Sequence, residues 1–232
     1  APGSATLTAD EQQGFRGTAT DSDGNQWNVT GEIAWSEDDP SGTMSANVYQ
    51  PGKAGTWTIT AIYNSLIATT TVNVLSGTAT ALFIQPATNS LTADESVAFT
   101  CVVRDNDSNT WMVTVQFTEN DPAGIMTANV YQPGQAGTWT ITADYSTFAA
   151  TATVSVSHGS AVSLETAPAA ATLTADDQQG YSGTATDSDG NQWDITGEIA
   201  WSENDQAGTM TANIYQPGKV GTWTITGIYT TL

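Results

Sequence analysis

Along residues 55–63, GTWTITAIY, threonine alternates with apolar side chains, so Trp57, Ile59, Ala61 and Tyr63 share one face and Thr56, Thr58 and Thr60 the other. Successive side chains leave a β-strand on opposite faces, and a period of two therefore predicts a half-buried strand. The same alternation predicts strands over FRGTATD (15–21), with Phe15, Gly17 and Ala19 inward, and over EIAWSE (32–37), with Ile33 and Trp35 inward. A further strand is predicted over IATTTVNV (67–74), with Val72 and Val74 in phase. Turn signals separate these runs: DSDGN, DDPSG and QPGKAG, the last with Pro then Gly as a type II turn requires.

The pattern recurs three times. Trp27, Trp111 and Trp193 are separated by 84 and 82 residues, and Tyr49, Tyr131 and Tyr215 by 82 and 84, so the chain is a tandem array. Residues 1–66 align without a gap with 167–232, and about fifty of these sixty-six are identical. The middle copy is more diverged and two residues shorter between Trp111 and Glu119. About seven short strands per copy, with turns every ~8–12 residues, predict an all-β fold of immunoglobulin-like β-sandwiches. The expected domains are 1–76, 77–158 and 159–232, joined by connectors near 75–80 (LSGTAT) and 157–161 (SHGSA). Because the connectors are short and not proline-rich, three tandem sandwiches forming a semi-rigid rod are expected.

Ala1-Pro2 aligns with Ala167-Pro168, so the first copy is expected to lack the opening strand that AVSLET supplies to the third. Leu232 aligns with Leu66, so the third copy is expected to lack the closing strand IATTTVNV. Either the array continues at both ends, or a neighbouring subunit donates the missing strand. The expected partners are therefore copies of this chain or flanking immunoglobulin-like repeats, by strand complementation in the second case.

Charge narrows the function. There are 24 Asp and Glu against four Lys and Arg, a net −20, which repels phosphate backbones and excludes nucleic acid as a partner. Anionic membrane surfaces are disfavoured for the same reason, and no apolar run approaches the roughly 18 residues of a membrane span. The scarcity of Arg16, Lys53, Arg104 and Lys219 leaves trypsin-like proteases few sites, which suits an extracellular or cell-surface location. One cysteine, Cys101, and one histidine, His158, exclude a disulfide framework, a Cys/His zinc site and a Ser/His/Asp or Cys/His catalytic set. The carboxylates Asp38, Asp39, Glu119, Asp121, Glu203 and Asp205 fall in turns rather than in a concave site, so no enzyme is expected. Cys101 lies in phase with Phe99 and Val103, as an inert packing thiol where the other copies carry Gly17 and Gly183. His158, in the SHGS connector, is expected to be solvated.

The run LTAD…GTATDSDGNQWNVTGEIAWSEDDPSGTM…NVYQPGKAGTWTITAIY…ATTTVNV resembles the bacterial Ig-like (Big) domains in all three copies. Such domains are found in adhesins, intimin- and invasin-like proteins, S-layer and other surface proteins, and some phage virion proteins. The TATDxDGN turn, the AGTxT strand and the closing TVNV strand come in the same order and at similar spacing. The chain departs from the family at Trp27 and Trp57, where smaller or other apolar residues are usual. The resemblance implies a scaffold and leaves the ligand open.

The acidic turn admits two readings. Asp21, Asp23, Asn25 and Glu32 stand at offsets 1, 3, 5 and 12, as in a calcium-binding EF-hand loop, and Asp187, Asp189, Asn191 and Glu198 repeat them. The middle copy offers Asp105 and Asp107 but has Gln116 at the last position. Against calcium, Gly24 and Gly190 sit at position 4 rather than 6, and an extended 27–32 segment carries Glu32 roughly 20 Å from the turn. A hairpin turn needs only the tolerance of Asp and Gly for positive φ and is preferred; no cofactor is expected, and calcium is the ion with candidate ligands.

Among the eight tryptophans, Trp35 and Trp201 occupy the core position of an immunoglobulin-like sandwich, with Phe117 in the middle copy, and Trp57, Trp139 and Trp223 are expected to face inward. Trp27, Trp111 and Trp193, at the turn exit, are the candidates for stacking on surface glycans. Asn28-Val29-Thr30 and Asn106-Asp107-Ser108 are glycosylation sequons, whereas Asp194 replaces Asn28 in the third copy. The expected function is a non-catalytic extracellular structural protein, a spacer or building block of a surface fibre, adhesin stalk or S-layer-like assembly. The alternatives are a carbohydrate- or calcium-dependent adhesive module and a phage virion decoration protein.

Overall fold

The computed structural model describes residues 4–230; Ala1-Pro2 and Leu232, on which the terminal alignments rest, lie outside them. The described chain is all-β, with one 3-10 turn, Thr30–Glu32, as its only helical element. It forms two compact units, Ala1–Gln85 with Thr100–Val115 and Ala143–Ala150, and Pro86–Phe99 with Gln116–Thr142 and Thr151–Leu232. The middle copy contributes to both.

In the first unit, Leu66–Leu75 lies between Ser4–Thr8 and Gly55–Tyr63 in a four-stranded sheet with Ala34–Glu37 at its far edge. Ser4–Thr8 runs parallel to it, with Leu7 opposite Val74, and Gly55–Tyr63 antiparallel, with Trp57 opposite Val72. Gln13–Gly14, Val48–Gln50 and Thr43–Ser45 form a second sheet, and Thr18–Thr20 pairs with Gln26–Asn28 across the acidic turn. The alternation sends the threonines outward and packs Leu7, Phe15, Tyr49, Ile59, Val72 and Val74 into an immunoglobulin-like core. The same unit holds Ala81–Gln85, Thr100–Arg104 and Thr110–Val113 as one antiparallel sheet. Thr18–Thr20, by contrast, is paired on one side only, and a groove of about 370 Å³ lined by Ile33, Trp35 and Ile59 opens beside it.

The second unit repeats these sheets. Thr88–Thr92 runs parallel to Phe148–Ser157, Val97–Ala98 pairs with Val130–Gln132, and Ala161–Ala167 pairs with Ser182–Asp187. In the third copy Ala200–Glu203 and Ile225–Ile228 form a sheet of two strands where the first copy has four.

The expected strand 15–21 is interrupted. The Phe15 N–H donates to the Asn47 carbonyl at 2.7 Å, and the chain passes there from the sheet of Gln13–Gly14 to that of Thr18–Thr20. Phe15 and Ala19 nevertheless both face the core, as the alternation requires. Nor is 27–32 extended throughout: it leaves the strand at Asn28 and closes the 3-10 turn. That turn contains the two residues missing from the middle copy, and it explains the change from tryptophan to phenylalanine there. The Trp35 indole N–H donates to the Thr30 carbonyl and that of Trp201 to the Thr196 carbonyl, both at 3.1 Å. A buried indole needs such an acceptor, and phenylalanine does not.

Candidate functional site: the acidic turn and the connector

Within each turn the first aspartate folds the loop around itself. Asp21 Oδ1 accepts the N–H groups of Asp23 and Asn25 at 3.0 and 2.9 Å, and Oδ2 accepts the Asn25 side-chain amide at 2.9 Å. Asn109 binds Asp105, and Asn191 binds Asp187, through the same backbone and side-chain donors. Position 4 takes a left-handed conformation in every copy, at Gly24 and Gly190 (φ 85°) and at Ser108 (φ 64°), which is the tolerance a tight acidic turn uses. The carboxylates that the spacing offered to calcium thus accept N–H groups. Asp23 and Asp189 are exposed, and Glu32 sits in the 3-10 turn with its N–H on the Val29 carbonyl. Among the described residues no three His, Cys, Asp or Glu side chains are grouped to hold a metal ion.

In the second and third copies this Asp–Asn pair also reaches the preceding copy. Asp105 Oδ2 accepts the N–H of Gly77 at 2.8 Å, and Asp187 Oδ2 accepts that of Gly159 at 2.7 Å. Asn109 Oδ1 accepts the N–H of Ala54 at 2.9 Å, and Asn191 Oδ1 that of Ala136 at 2.8 Å, both donors lying in a QPGxAG turn. The next connector residue is tied in the opposite direction: Thr78 N–H donates to Asp10 and Ser160 N–H to Asp94, at 2.7 and 2.6 Å. Glycine is required between these two anchors, because a Cβ on Gly77 or Gly159 would come within 2.6 Å of the Asp10 or Asp94 carboxylate. The first of these clasps lies wholly in the first compact unit and the second wholly in the second.

Identical sequences therefore meet different surroundings. Asp187 is 2% exposed and so is Asp105, whereas Asp21, in the same DSDGN turn as Asp187, is exposed. Burial pushes the Asp105 and Asp187 carboxyls up, but the asparagine side chain, the connector glycine N–H and the turn N–H groups outweigh it and hold both below the ordinary carboxylate range. At Asp21 the Asn25 side chain is the leading cause of a shift in the same direction.

The turn tryptophans follow suit. Trp27 is 45% exposed, and Trp111 and Trp193 are half-buried. His158 is not solvated as expected: it is half-buried and stacks on Trp193 at 3.6 Å and 1° between planes, covering one face of that indole. Trp57, Trp139 and Trp223 are half-buried rather than fully inward, each donating its indole N–H to the carbonyl of residue 53, 135 or 219 in the preceding turn. Asn28 is exposed and accepts the Thr30 N–H at 3.0 Å, a role that Asp194 fills for Thr196 at 2.8 Å, so the two residues are interchangeable as local acceptors. Asn106 is exposed at the tip of the middle turn.

A second set of three was hidden among the turn acids. Asp39 Oδ2 accepts the Tyr49 hydroxyl at 2.9 Å and the N–H groups of Gly52 and Lys53 at 2.8 and 3.2 Å, while Oδ1 accepts Ser41 N–H at 3.0 Å. Asp121 and Asp205 do the same for Tyr131 and Tyr215. The constant interval of ten residues from aspartate to tyrosine was the available signal.

Comparison with known proteins gives neighbours by fold. No protein-family model matches the chain, and no curated protein matches it in sequence. The Escherichia coli adhesin FdeC is similar over 93% of this chain and 82% of its own, at 14% identity and a TM-score of 0.49. Invasin, a bacterial integrin-binding protein, is similar over 90% of this chain and 52% of its own, at 16% identity and a TM-score of 0.47. Domains 4–9 of the surface layer protein SbsC share 15% identity over 90% of this chain, which spans 39% of that structure, with a TM-score of 0.32. No helix among the described residues is long and apolar enough to cross a membrane.

Calcium is expected to leave thermal stability nearly unchanged, because the turn carboxylates already accept backbone and amide N–H groups. Melting in excess calcium and in chelator checks this, and a shift of more than a few degrees specific to calcium over other salts contradicts it. A small general rise with any salt is expected, since ions screen a net charge of −20.

Proposed function

We propose that the chain is a non-catalytic structural segment of an extracellular surface protein, in which tandem immunoglobulin-like repeats are clasped to one another by the acidic turn. It serves as a spacer or building block of a surface fibre, adhesin stalk or S-layer-like assembly. The observation that carries this reading is the recurrence of one hydrogen-bond set at two junctions: connector glycine to turn aspartate, and QPGxAG turn to turn asparagine. Backbone donors held by buried carboxylates stiffen a junction without a disulfide or a metal, which suits a part that transmits force. The acidic surface keeps such a protein soluble outside the cell.

The test compares three equivalent substitutions. Asp105→Ala and Asp187→Ala remove both the turn and the clasp, whereas Asp21→Ala removes the turn alone. The two clasp variants are expected to lose about 1–3 kcal/mol more than Asp21→Ala in denaturant unfolding, the cost of unpaired buried donors. Protease nicking should rise at residues 75–80 or 157–161 in the corresponding variant. Equal losses in all three, with connectors no more sensitive, overturn the reading. A sugar-binding role would instead rest on Trp27, the one turn indole more than a third exposed, and glycan-array binding abolished by Trp27→Ala would favour it.

A further inference from the structure

The third copy contains an open groove of about 810 Å³, lined by Leu173, Tyr181, Trp201, Trp223 and Ile225 among others. Its place in the fold is defined by the other two copies. There, the corresponding space is filled by Leu66–Leu75 and by Phe148–Ser157, strands that bury Val72 and Val74, and Val154 and Val156. Both strands pair with a parallel neighbour, Ser4–Thr8 or Thr88–Thr92. In the third copy the matching segment 170–174 belongs to no strand, nor do residues 221–224, although Gly55–Tyr63 and Gly137–Tyr145 are strands from the matching glycine onward. Leu173 is half-buried where Leu7 and Leu91 are buried, so the groove walls retain apolar surface that the missing neighbour would cover.

We propose that this groove is a strand-acceptor site. Its occupant is an extended segment of another polypeptide with the alternation of Phe148–Ser157, small or β-branched apolar residues inward and threonine or serine outward. The register follows from the first copy, where Val74 stands opposite both Leu7 and Gly55, and Val72 opposite both Ala5 and Trp57. One inward valine of the incoming strand therefore sits between Leu173 and Gly221, and the valine two residues before it sits between Ala171 and Trp223. The strand runs parallel to 170–174 and antiparallel to 221–228, supplying ladder partners to both. The segments of this chain that have the pattern are already paired within their own copies, so a second copy offers no spare donor.

The proposal deepens the proposed function by naming the chemistry of a partner, and rests on it only in reading the copies as equivalent repeats. Its test uses the full chain and a synthetic peptide of the sequence FAATATVSVS, followed by hydrogen exchange. The peptide is expected to slow exchange by about tenfold or more at 170–174 and 221–228, while leaving the first copy unchanged. A peptide with aspartate in place of both inward valines, matching V154D and V156D, should give no protection. Absence of protection at millimolar peptide, or equal protection by the aspartate peptide, overturns the proposal. Protection that rises with protein concentration in the absence of peptide also overturns it, since another copy of the chain would then be the occupant. None of these failures touches the comparison of Asp21, Asp105 and Asp187 variants, which reads the turn and connectors.

Discussion

Asp121→Ala is expected to destabilise the chain by about 3–5 kcal/mol, because one buried carboxylate serves four donors and each donor left unpaired costs about 1–3 kcal/mol before relaxation. The carboxylate is 4% exposed. Its Oδ2 accepts the Tyr131 hydroxyl and Gly134 N–H at 2.9 Å each and Gln135 N–H at 3.2 Å, and Oδ1 accepts Ala123 N–H at 3.0 Å. Two turns and a core tyrosine are thereby fixed at one point, and no lysine or arginine shares it. Space is equally tight: a Cβ on Gly134 would meet the Ala123 carbonyl oxygen at 2.3 Å, so the turns approach as closely as backbone allows. Tyr131→Phe removes one of the four donors without a cavity and should cost about 1.5–3 kcal/mol, the range for a hydrogen bond to a charged group. Urea unfolding of both variants checks the order. A smaller loss for Asp121→Ala than for Tyr131→Phe would mean that the carboxylate is not the hub.

The same group makes the fold acid-sensitive. Burial raises the Asp121 carboxyl, but the N–H groups of Gly134 and Ala123 and the Tyr131 hydroxyl lower it further, to a net position below the ordinary 3.8. A carboxyl depressed in the folded state contributes its full stability above its unfolded value and loses it as pH falls through the folded value. Asp39, Asp105 and Asp187 are shifted in the same direction. The melting temperature is therefore expected to hold from neutral pH to about 5 and to fall below about 4.

Gly183→Ala is the second large effect, about 1–3 kcal/mol of overpacking in the third copy. An added Cβ would stand 2.0 Å from Ile199 Cδ1, and at the equivalent Gly17 it would stand 1.9 Å from Ile33 Cδ1. The middle copy shows the compensated pair, with Cys101 where the others have glycine and Val115 where they have isoleucine. Ile199→Val alone should cost about 0.5–1.5 kcal/mol, yet in the Gly183→Ala background it should restore stability. A double-mutant cycle measures the coupling, and simple additivity would show that the two positions do not share the space.

Local pattern determined much of this protein. Alternation in GTWTITAIY and IATTTVNV placed Ile59, Val72 and Val74 in the core, because the inside and outside of a strand are set by the pleat, two residues at a time. The near identity of 1–66 and 167–232 likewise announced equivalent copies before any coordinates. The turn reading of DSDGN was legible too, since an Asp–Asn pair four apart satisfies its own backbone. What lay beyond local reach was whatever depends on a distant neighbour. Asp21 and Asp187 occupy identical turns, and only the fold decides that one is exposed while the other meets Gly159 of a connector. Asp39, Asp121 and Asp205 passed for solvated turn acids because their burial is made by a tyrosine ten residues on and a glycine thirteen residues on. His158 passed for a solvated connector residue because its partner, Trp193, lies 35 residues away in sequence. Strand periodicity is written in adjacent residues; the electrostatic fate of a carboxylate is written in which donors tertiary packing brings to it, and a single polar letter carries no record of them.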